Sequence, residues 1–271
     1  MSPIAFKITA EFGWGFTSRV IGLSKTSPSF IYPPPTTFLG AISAVLAKEY
    51  SLGEQYGKET MLEISRKLLA INLRPLNCMP LRYSDINRII TVKVTSGRLY
   101  PKPDDLKRSF DSPACGKTIL VSTDKDPPRV EWILVLRDNS INCNGSLIKL
   151  NVEHIWRINR IGSKESLVSI TEVKYFDNVD IKYERIETKY SFPLSKNIRI
   201  ITLSGVWEIE QYINPFNLDK WNPLRYYLTG ERIMNFYVPV LMGDESRCIV
   251  DICGEYCGYQ VGDKVVIGKC P

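Results

Sequence analysis

The chain contains only one histidine in 271 residues. Imidazole groups titrate near neutral pH and are the side chains that most often transfer protons in catalysis, so a mechanism that needs two histidines is excluded. The one candidate base is His154, which lies at the edge of the apolar face of a predicted helix. We expect His154 to pack at that boundary rather than to act as a general base.

The paired C-x₂-C knuckles of a zinc site are also missing. The seven cysteines are an odd number spread over a mid-sized chain, which argues against the disulfide framework of a secreted protein. Cys248, Cys253, Cys257 and Cys270 cluster near the end of the sequence, but they lack the C-x₂-C pairs of a zinc site. We predict no metal and no cofactor, and leave open whether any of these four thiols form disulfides.

The sequence has no run of about 18 apolar residues and no apolar segment behind a basic N-terminus. We therefore expect neither a membrane span nor export, and place the protein in the cytoplasm. A nucleotide-binding loop is missing as well. The segment DSPACGKT ends like one, but Asp111 occupies the position of the required glycine and no hydrophobic strand precedes it. Asn144, Gly145 and Ser146 predict a turn.

Hydrophobic residues make up 44% of the chain, enough for a large core. The net charge of +6, from 35 Lys and Arg against 29 Asp and Glu, permits an anionic partner without requiring one. The basic excess is concentrated between Arg74 and Arg108, where eight basic residues stand against three acidic ones. We expect any anionic partner to bind this segment.

The most informative stretch is SPSFIYPPPTTFLGAISAVLAKEY, residues 27–50. Its three consecutive prolines predict a stiff extended loop after which a helix can begin. Thr36 or Thr37 can cap that helix, predicted over Thr37–Tyr50. Gly40 costs about 1 kcal/mol of helix propensity, which suggests that another backbone or a ligand approaches closely. Two interpretations stay open: a capped core helix, or a helix whose positively polarised N-terminus faces a phosphate.

Hydrophobic periodicity predicts an α+β fold. The predicted elements before residue 178 are a strand at Ile4–Phe12, helices at Thr37–Tyr50 and Glu59–Ala70, strands at Ile71–Arg74 and Val130–Leu136, a helix at Leu147–Asn159 and a strand at Leu167–Phe176. The order β-α-β-β-α-β is that of a ferredoxin-like (RRM-like) sheet of four strands with two helices on one face. The continuous apolar run VEWILVL favours a central strand.

Two regions fall outside this pattern. Between about 78 and 129 the apolar period is lost, and only Ile89–Val94 could form one arm of a hairpin, so we interpret this region as a basic insertion. From residue 179 to 271 short β-rich segments follow one another. We therefore predict a ferredoxin-like domain over 1–178, carrying the insertion, and a C-terminal β-rich domain over 179–271.

The proline stretch, following a strand that ends in Gly13, Trp14, Gly15 and Phe16, resembles the Cas-five family of CRISPR-associated RAMP proteins, in its type I-A form. A second similar piece is RIGSKESLVSITEV, residues 160–173, which looks like the glycine-containing segment that leads into a late strand of that family. Together the two pieces cover roughly a seventh of the chain, in the family's order and separation.

The resemblance implies a ferredoxin-like RAMP core with an inserted thumb-like hairpin and a further β-region. It also implies a non-catalytic subunit of a type I surveillance complex, Cascade. Such a subunit would hold the 5′ handle of the CRISPR RNA (crRNA), cap the filament of backbone RAMP subunits and contact the large subunit. We therefore expect the protein not to be an enzyme. Two alternatives remain: a metal-independent endoribonuclease that uses His154, and a protein-interaction scaffold that binds no RNA.

Single-stranded RNA is bound by cations together with planar side chains that stack on bases. Such residues follow the first strand, occur in the insertion and lie near Gly162. The candidate RNA-binding residues are Trp14, Phe16, Arg19, Lys25, Thr36, Thr37, Arg82, Tyr83, Arg88, Lys93, Arg98, Tyr100, Arg160 and Lys164.

Overall fold

A computed structural model describes residues 2–18, 28–86, 89–90, 92–105, 109–111, 114–241 and 246–271. It shows a mixed α/β fold in which strands predominate. The helices are α1 (Pro35–Glu49), α2 (Gly53–Lys67), α3 (Val152–Trp156) and α4 (Pro223–Thr229). The strands up to residue 149 are β1 (Ile4–Phe12), β2 (Gly15–Phe16), β3 (Leu68–Pro75), β4 (Cys78–Ile86), β5 (Ile89–Ile90), β6 (Lys93–Thr95), β7 (Arg98–Tyr100), β8 (Phe110–Asp111), β9 (Ala114–Ser122), β10 (Arg129–Leu136), β11 (Ser140–Cys143) and β12 (Ser146–Lys149). The later strands are β13 (Val168–Phe176), β14 (Asp180–Lys182), β15 (Glu184–Thr188), β16 (Phe192–Pro193), β17 (Ile198–Ser204), β18 (Trp207–Ile213), β19 (Ile233–Pro239), β20 (Arg247–Ile252), β21 (Tyr256–Val261) and β22 (Lys264–Lys269).

The core is built around a four-stranded antiparallel sheet in the order β13-β1-β10-β3. Its inner strand β10 is buried along nearly its whole length, as the VEWILVL run predicted. One face packs against α1 and α2, where Phe38 stacks on Trp132 with ring centroids 5.0 Å apart. Because side chains alternate along a strand, the residues between those on this face point to the opposite one.

That opposite face is covered by strands that follow residue 179. Ala5, Ile133 and Val135 share a buried apolar cluster with Tyr259 and residues of β20 and β22. The packing is close at Gly268, where a Cβ atom would lie 2.1 Å from the backbone oxygen of Leu69. The inner strands β1 and β10 are therefore covered on both faces, whereas the edge strand β13 is partly exposed.

A buried polar cluster joins the central sheet to the strands that follow residue 179. Glu131 is 2% exposed. Its carboxylate accepts hydrogen bonds from Arg74 Nε at 2.7 Å and from the hydroxyl of Tyr190, while Lys7 Nζ lies 3.2 Å away. The Arg74 guanidinium also lies over the Tyr190 ring. Because a buried carboxylate is stable only when it is fully paired, this cluster fixes the segment around Tyr190 against the sheet.

The insertion is more regular than its sequence pattern predicted. Strands β4 and β9 form a nine-pair antiparallel hairpin from Cys78↔Ser122 to Ile86↔Ala114, and β2 pairs with the other edge of β9. The short hairpin β6–β7 lies beyond it. The expected loss of regular structure between 78 and 129 is wrong, because backbone pairing continues where side-chain alternation is interrupted by residues such as Pro80 and Gly116.

Two predicted helices begin and end at other residues than predicted. Helix α1 starts at Pro35, with Pro34 at the N-cap position, and neither Thr36 nor Thr37 caps it by a side-chain bond. Helix α2 starts at Gly53, six residues before the predicted Glu59, and ends at Lys67, where the chain turns extended into β3.

The helix predicted over Leu147–Asn159 is mostly absent. The positive φ angles of Asn144 and Gly145 make a tight turn, as predicted, and this turn folds β12 back onto β11. Only the five-residue α3 remains, capped by Asn151.

No helix in the described part of the chain is both long and apolar enough to cross a membrane.

Candidate nucleic-acid interface

The segment after β1, residues 13–18, and the Gly162 loop, residues 160–167, form one hydrogen-bonded unit. The Thr17 amide donates to Ser166 Oγ at 2.9 Å, and the Ser163 amide donates to the Thr17 carbonyl at 3.1 Å. Gly162 has a φ of +121°, and a Cβ there would lie 2.9 Å from Ser166 Oγ and 3.1 Å from the Thr17 oxygen. The loop therefore requires glycine at this position.

Trp14 is held by this loop. Its indole Nε1–H donates to the carbonyl of Glu165 at 2.9 Å, and the side chain remains partly exposed. The Glu165 carboxylate accepts a hydrogen bond from Ser163 Oγ at 2.7 Å, and this bond is the main reason why the pKa of Glu165 is lowered, with smaller contributions from Lys164 and Lys117. The indole is thus fixed to a residue whose carboxylate interacts with two cations, Lys164 from the loop and Lys117 from β9.

The same segment also reaches the start of α1. The Phe30 amide donates to the Ser18 carbonyl at 3.1 Å, and the Ser18 and Thr37 hydroxyls are 3.2 Å apart. No acidic residue occupies the first turn of α1. The proline loop therefore places the positively polarised helix N-terminus next to the Gly162 loop.

A cleft of about 670 Å³ opens between α1, α2 and the Gly162 loop. Its floor on α1 consists of the small residues Gly40, Ala44 and Ala47. A Cβ on Gly40 would meet nothing within 4 Å among the described residues, so none of them makes the close approach that we predicted at this glycine. Gly40 instead widens the cleft and leaves space that a partner could occupy.

Cations surround this cleft. Arg160 and Lys48 line it, and neither has a charged partner in the described part of the chain. Lys58 also lines it but is paired with Glu54 at 2.8 Å. The rim therefore carries a local positive excess.

The base of the insertion hairpin continues this surface. Tyr83 on β4 is 49% exposed and lies opposite Lys117 of β9, which links the hairpin to Glu165. On the same face of β4, Leu81 and Met79 are also exposed. An exposed aromatic ring beside a lysine is the combination that single-stranded RNA contacts require.

Arg82, the neighbour of Tyr83, points the other way. Its Nη2 lies 2.7 Å from Glu208 and its Nη1 3.7 Å from Glu210, both on β18. Glu210 is 6% exposed, accepts from the Ile31 amide at 3.0 Å and from Tyr212 Oη at 2.9 Å, and burial raises its pKa to about 7. Arg82 therefore ties the hairpin to β18 and is already paired.

The structure brings five of the predicted residues together around the Gly162 loop and the start of α1: Trp14, Thr36, Thr37, Arg160 and Lys164. Arg82 and Tyr83 lie on β4, and Lys93 and Arg98 lie on the distal hairpin β6–β7. Arg19, Lys25 and Arg88 fall outside the described residues.

Two predicted stacking residues belong to the protein's own packing. Phe16 is fully buried and packs against Phe12, and Tyr100 is 1% exposed and donates its hydroxyl to Asp105. Neither ring is available to a base in this conformation. The sequence alone does not distinguish these buried rings from the more exposed rings of Trp14 and Tyr83, because local composition does not indicate which face of a strand is covered.

Sequence reasoning also missed three residues beside the predicted ones: Lys48, Lys117 and Trp221. Helical spacing from Gly40 through Ala44 to Lys48 was a usable signal, since residues four apart share a helix face. Lys117 and Trp221 reach the surface through long-range packing, for which the sequence has no local sign.

His154 is confirmed as a packing residue. It is 3% exposed; its Nδ1 accepts the Asn151 amide hydrogen at 3.1 Å, and its Nε2 lies 3.4 Å from both Glu49 Oε2 and Tyr50 Oη. Burial lowers the pKa of His154, although the Glu49 carboxylate opposes this. With Nδ1 accepting, the proton of the neutral ring lies on Nε2, so no ring lone pair faces solvent.

The chain is similar to three curated proteins of Saccharolobus solfataricus. CRISPR-associated protein Cas5 2 is 29% identical over 193 residues, which are 66% of this chain and 64% of that protein. CRISPR-associated protein Cas5 3 is 27% identical over 82% of this chain and 86% of its own length. CRISPR system aCascade subunit Cas5 1 is 27% identical over 94% of this chain and 98% of its own length. No protein-family model matches the chain.

The fold is also that of a solved structure. The crystal structure of a CRISPR protein from Archaeoglobus fulgidus matches with a TM-score of 0.74 and 36% sequence identity, over 98% of this chain and 100% of that one. Fold and sequence thus place the protein in the class of CRISPR proteins. The chain belongs to the Cas5 family of CRISPR-associated proteins, as the proline stretch and the Gly162 segment indicated.

Proposed function

We propose that this protein is a non-catalytic crRNA-binding subunit of a type I-A Cascade complex. It holds the 5′ handle of the crRNA, caps the filament of backbone RAMP subunits and contacts the large subunit. The observation that carries the proposal is the similarity to a protein named as an aCascade subunit, over 94% of this chain and 98% of that protein.

The strand order supports a ferredoxin-like RAMP core. Numbered within the β-α-β-β-α-β unit, the sheet order β13-β1-β10-β3 reads fourth, first, third, second, with every neighbouring pair antiparallel. The hairpin β4–β9 leaves the core between its second and third strands and would be the thumb.

The charge arrangement around the Gly162 loop supports RNA as the ligand. Arg160 and Lys164 would contact phosphates, the start of α1 would add backbone amides, and the indole of Trp14, oriented by the Glu165 carbonyl, would stack on an unpaired base. Because the inner strands of the sheet are covered on both faces, RNA would follow the loops and the hairpin base rather than the centre of the sheet.

Binding to a fluorescent handle RNA tests this assignment. Changing Arg160 and Lys164 together to alanine should reduce the slope of log K against log salt by about 1.4, since each phosphate contact with a single strand contributes about 0.7. Lys182→Ala, an exposed lysine on β14, is the matched control and should leave the slope unchanged. Wild-type affinity and slope in the double variant would show that this loop does not bind RNA.

Catalytic inactivity is tested separately. Repeat RNA incubated with the wild type in the presence of EDTA should stay intact, because His154 has no lone pair facing solvent. Cleavage by the wild type that His154→Ala abolishes would establish the endoribonuclease alternative. Co-expression with backbone and large subunits should yield a complex that contains this protein, and a complex that forms without any RNA would favour a scaffold role.

A further inference from the structure

Two cysteines meet at the end of the C-terminal hairpin β21–β22. Cys257 lies opposite Gly268 in the antiparallel register, and Cys270 follows two residues later, on the same face. The Cys270 amide donates to the carbonyl of Glu255 at 2.8 Å, which keeps the last residues alongside β21. Both side chains face the same apolar cluster, so the two thiols are neighbours across the strands.

The two thiols differ in accessibility. Cys257 is fully buried, whereas Cys270 is partly exposed and packs on the edge of the same apolar cluster. Both are free thiols in the structure. An oxidant in solution can therefore reach Cys270 first, with Cys257 placed directly behind it.

We propose that Cys257 and Cys270 form a disulfide when the protein is exposed to a peroxide, and that this bond locks the residues after β22 onto β21. The peroxide oxidises the Cys270 thiol to a sulfenic acid and is itself reduced to water. The Cys257 sulfur then attacks the Cys270 sulfur, the S–S bond forms, and the sulfenic hydroxyl leaves with the Cys257 proton as a second water. Two thiol protons and two electrons are thus transferred to one peroxide.

Burial raises the pKa of the Cys257 thiol to about 12, so this thiol rarely ionises and reacts slowly with oxidants in solution. The nearness of Cys270 offsets this low reactivity, because the attack of Cys257 on the oxidised Cys270 is intramolecular. The disulfide would also hold the hairpin against the core, because the same hairpin face packs on β3 at Gly268.

Cys253 is the competing partner. It is exposed, it lies in the turn before β21, and its thiol donates to the Asn197 carbonyl at 3.5 Å. The Cys270 sulfur is 4.0 Å from the carbonyl of Gly254, the next residue. A disulfide between Cys253 and Cys270 is therefore the outcome that the experiment must distinguish.

The full chain, purified with reductant and then treated with hydrogen peroxide, is mapped by non-reducing peptide mass spectrometry. We expect a cross-linked peptide that joins Cys257 to Cys270 in the wild type and in Cys253→Ser. In Cys257→Ala we expect none, with the Cys270 sulfenic acid trapped by dimedone. A Cys253–Cys270 link, a link between two molecules, or no link at all would overturn the proposal.

Hydrogen exchange gives a second readout that does not depend on the Cys257 variant folding. The disulfide closes a ring of about 14 residues. If the β21 and β22 amides exchange only when the hairpin opens, this ring should slow their exchange by about a hundredfold. This slowing should appear in the oxidised wild type and be absent from oxidised Cys270→Ser, which changes only a partly exposed side chain. Equal exchange in the two oxidised proteins would show that no lock forms.

Discussion

Glu210 offers a quantitative test of how the insertion hairpin, the proline loop and the C-terminal strands are joined. Its carboxylate binds the Ile31 amide and Tyr212, and lies 3.7 Å from Arg82. Tyr32 and Tyr227 also face this group of residues, and Glu208 adds a like charge. Burial is the dominant influence and raises the pKa of Glu210 from the ordinary 4.5 to about 7.

The sign of the pH effect follows from this direction. Because the folded chain binds the Glu210 proton more tightly than the unfolded chain, the contribution to stability is fully present below about pH 4.5 and is lost as the pH rises through about 7. A shift of about 2.5 units at 1.36 kcal/mol per unit gives about 3 kcal/mol. Glu210→Gln removes the titration and retains an acceptor for the Ile31 amide or the Tyr212 hydroxyl.

Urea unfolding of wild type and Glu210→Gln between pH 5 and pH 8.5 measures this contribution. The unfolding free energy of the variant minus that of the wild type should increase by up to about 3 kcal/mol across the range. Glu208→Gln is the control on the same strand; it breaks a largely exposed pair with Arg82 and should change stability by at most about 1 kcal/mol. A difference between wild type and Glu210→Gln that stays constant with pH would refute the reasoning.

Three further changes have expected outcomes. Gly162→Ala should lower the unfolding free energy by about 1–3 kcal/mol, because alanine is strained at a φ of +121° and its Cβ crowds Ser166; urea unfolding measures this, and an unchanged midpoint would contradict it. Glu131→Gln should cost about 3–5 kcal/mol in the same assay, since Arg74 and Lys7 would lose the buried carboxylate that both contact, and a loss below about 1 kcal/mol would show that the cluster is not needed. Gly40→Val should leave stability within about 1 kcal/mol, because its Cβ meets nothing, yet reduce complex assembly or crRNA retention in pull-downs; normal assembly would show that the cleft is empty in the complex.

The sequence predicted best where one physical signal dominates. The VEWILVL run marks β10 because a strand buried on both faces must be continuously apolar, and three prolines mark the start of α1 because they cannot lie inside a helix. The β11–β12 hairpin was missed although its turn was recognised, since the residues after Asn144 also fit a helical period.

The candidate site shows the same difference between local signals, which the sequence carries, and long-range contacts, which it does not. The Gly162 segment was identifiable because glycine, lysine and arginine lie close together in the sequence, and Trp14 joins it through a hydrogen bond to Glu165. Arg82 was predicted to contact a phosphate, and the structure pairs it with two carboxylates. Its two carboxylate partners on β18 are 126 and 128 residues later in the sequence, and no local pattern predicts an ion pair between residues so far apart.

The burial of β10 on both faces has a consequence for how the sequence of this protein can diverge. Residues that pack the two faces, such as Trp132 and Ile133, are constrained by volume and hydrophobicity on every side. The Gly162 loop, the outer face of α1 and the hairpin base touch the core only through a few hydrogen bonds and close contacts. The surface around the cleft can therefore vary in charge and shape while the core stays intact, so loops exchanged between homologues should fold on this scaffold with their ligand preference intact.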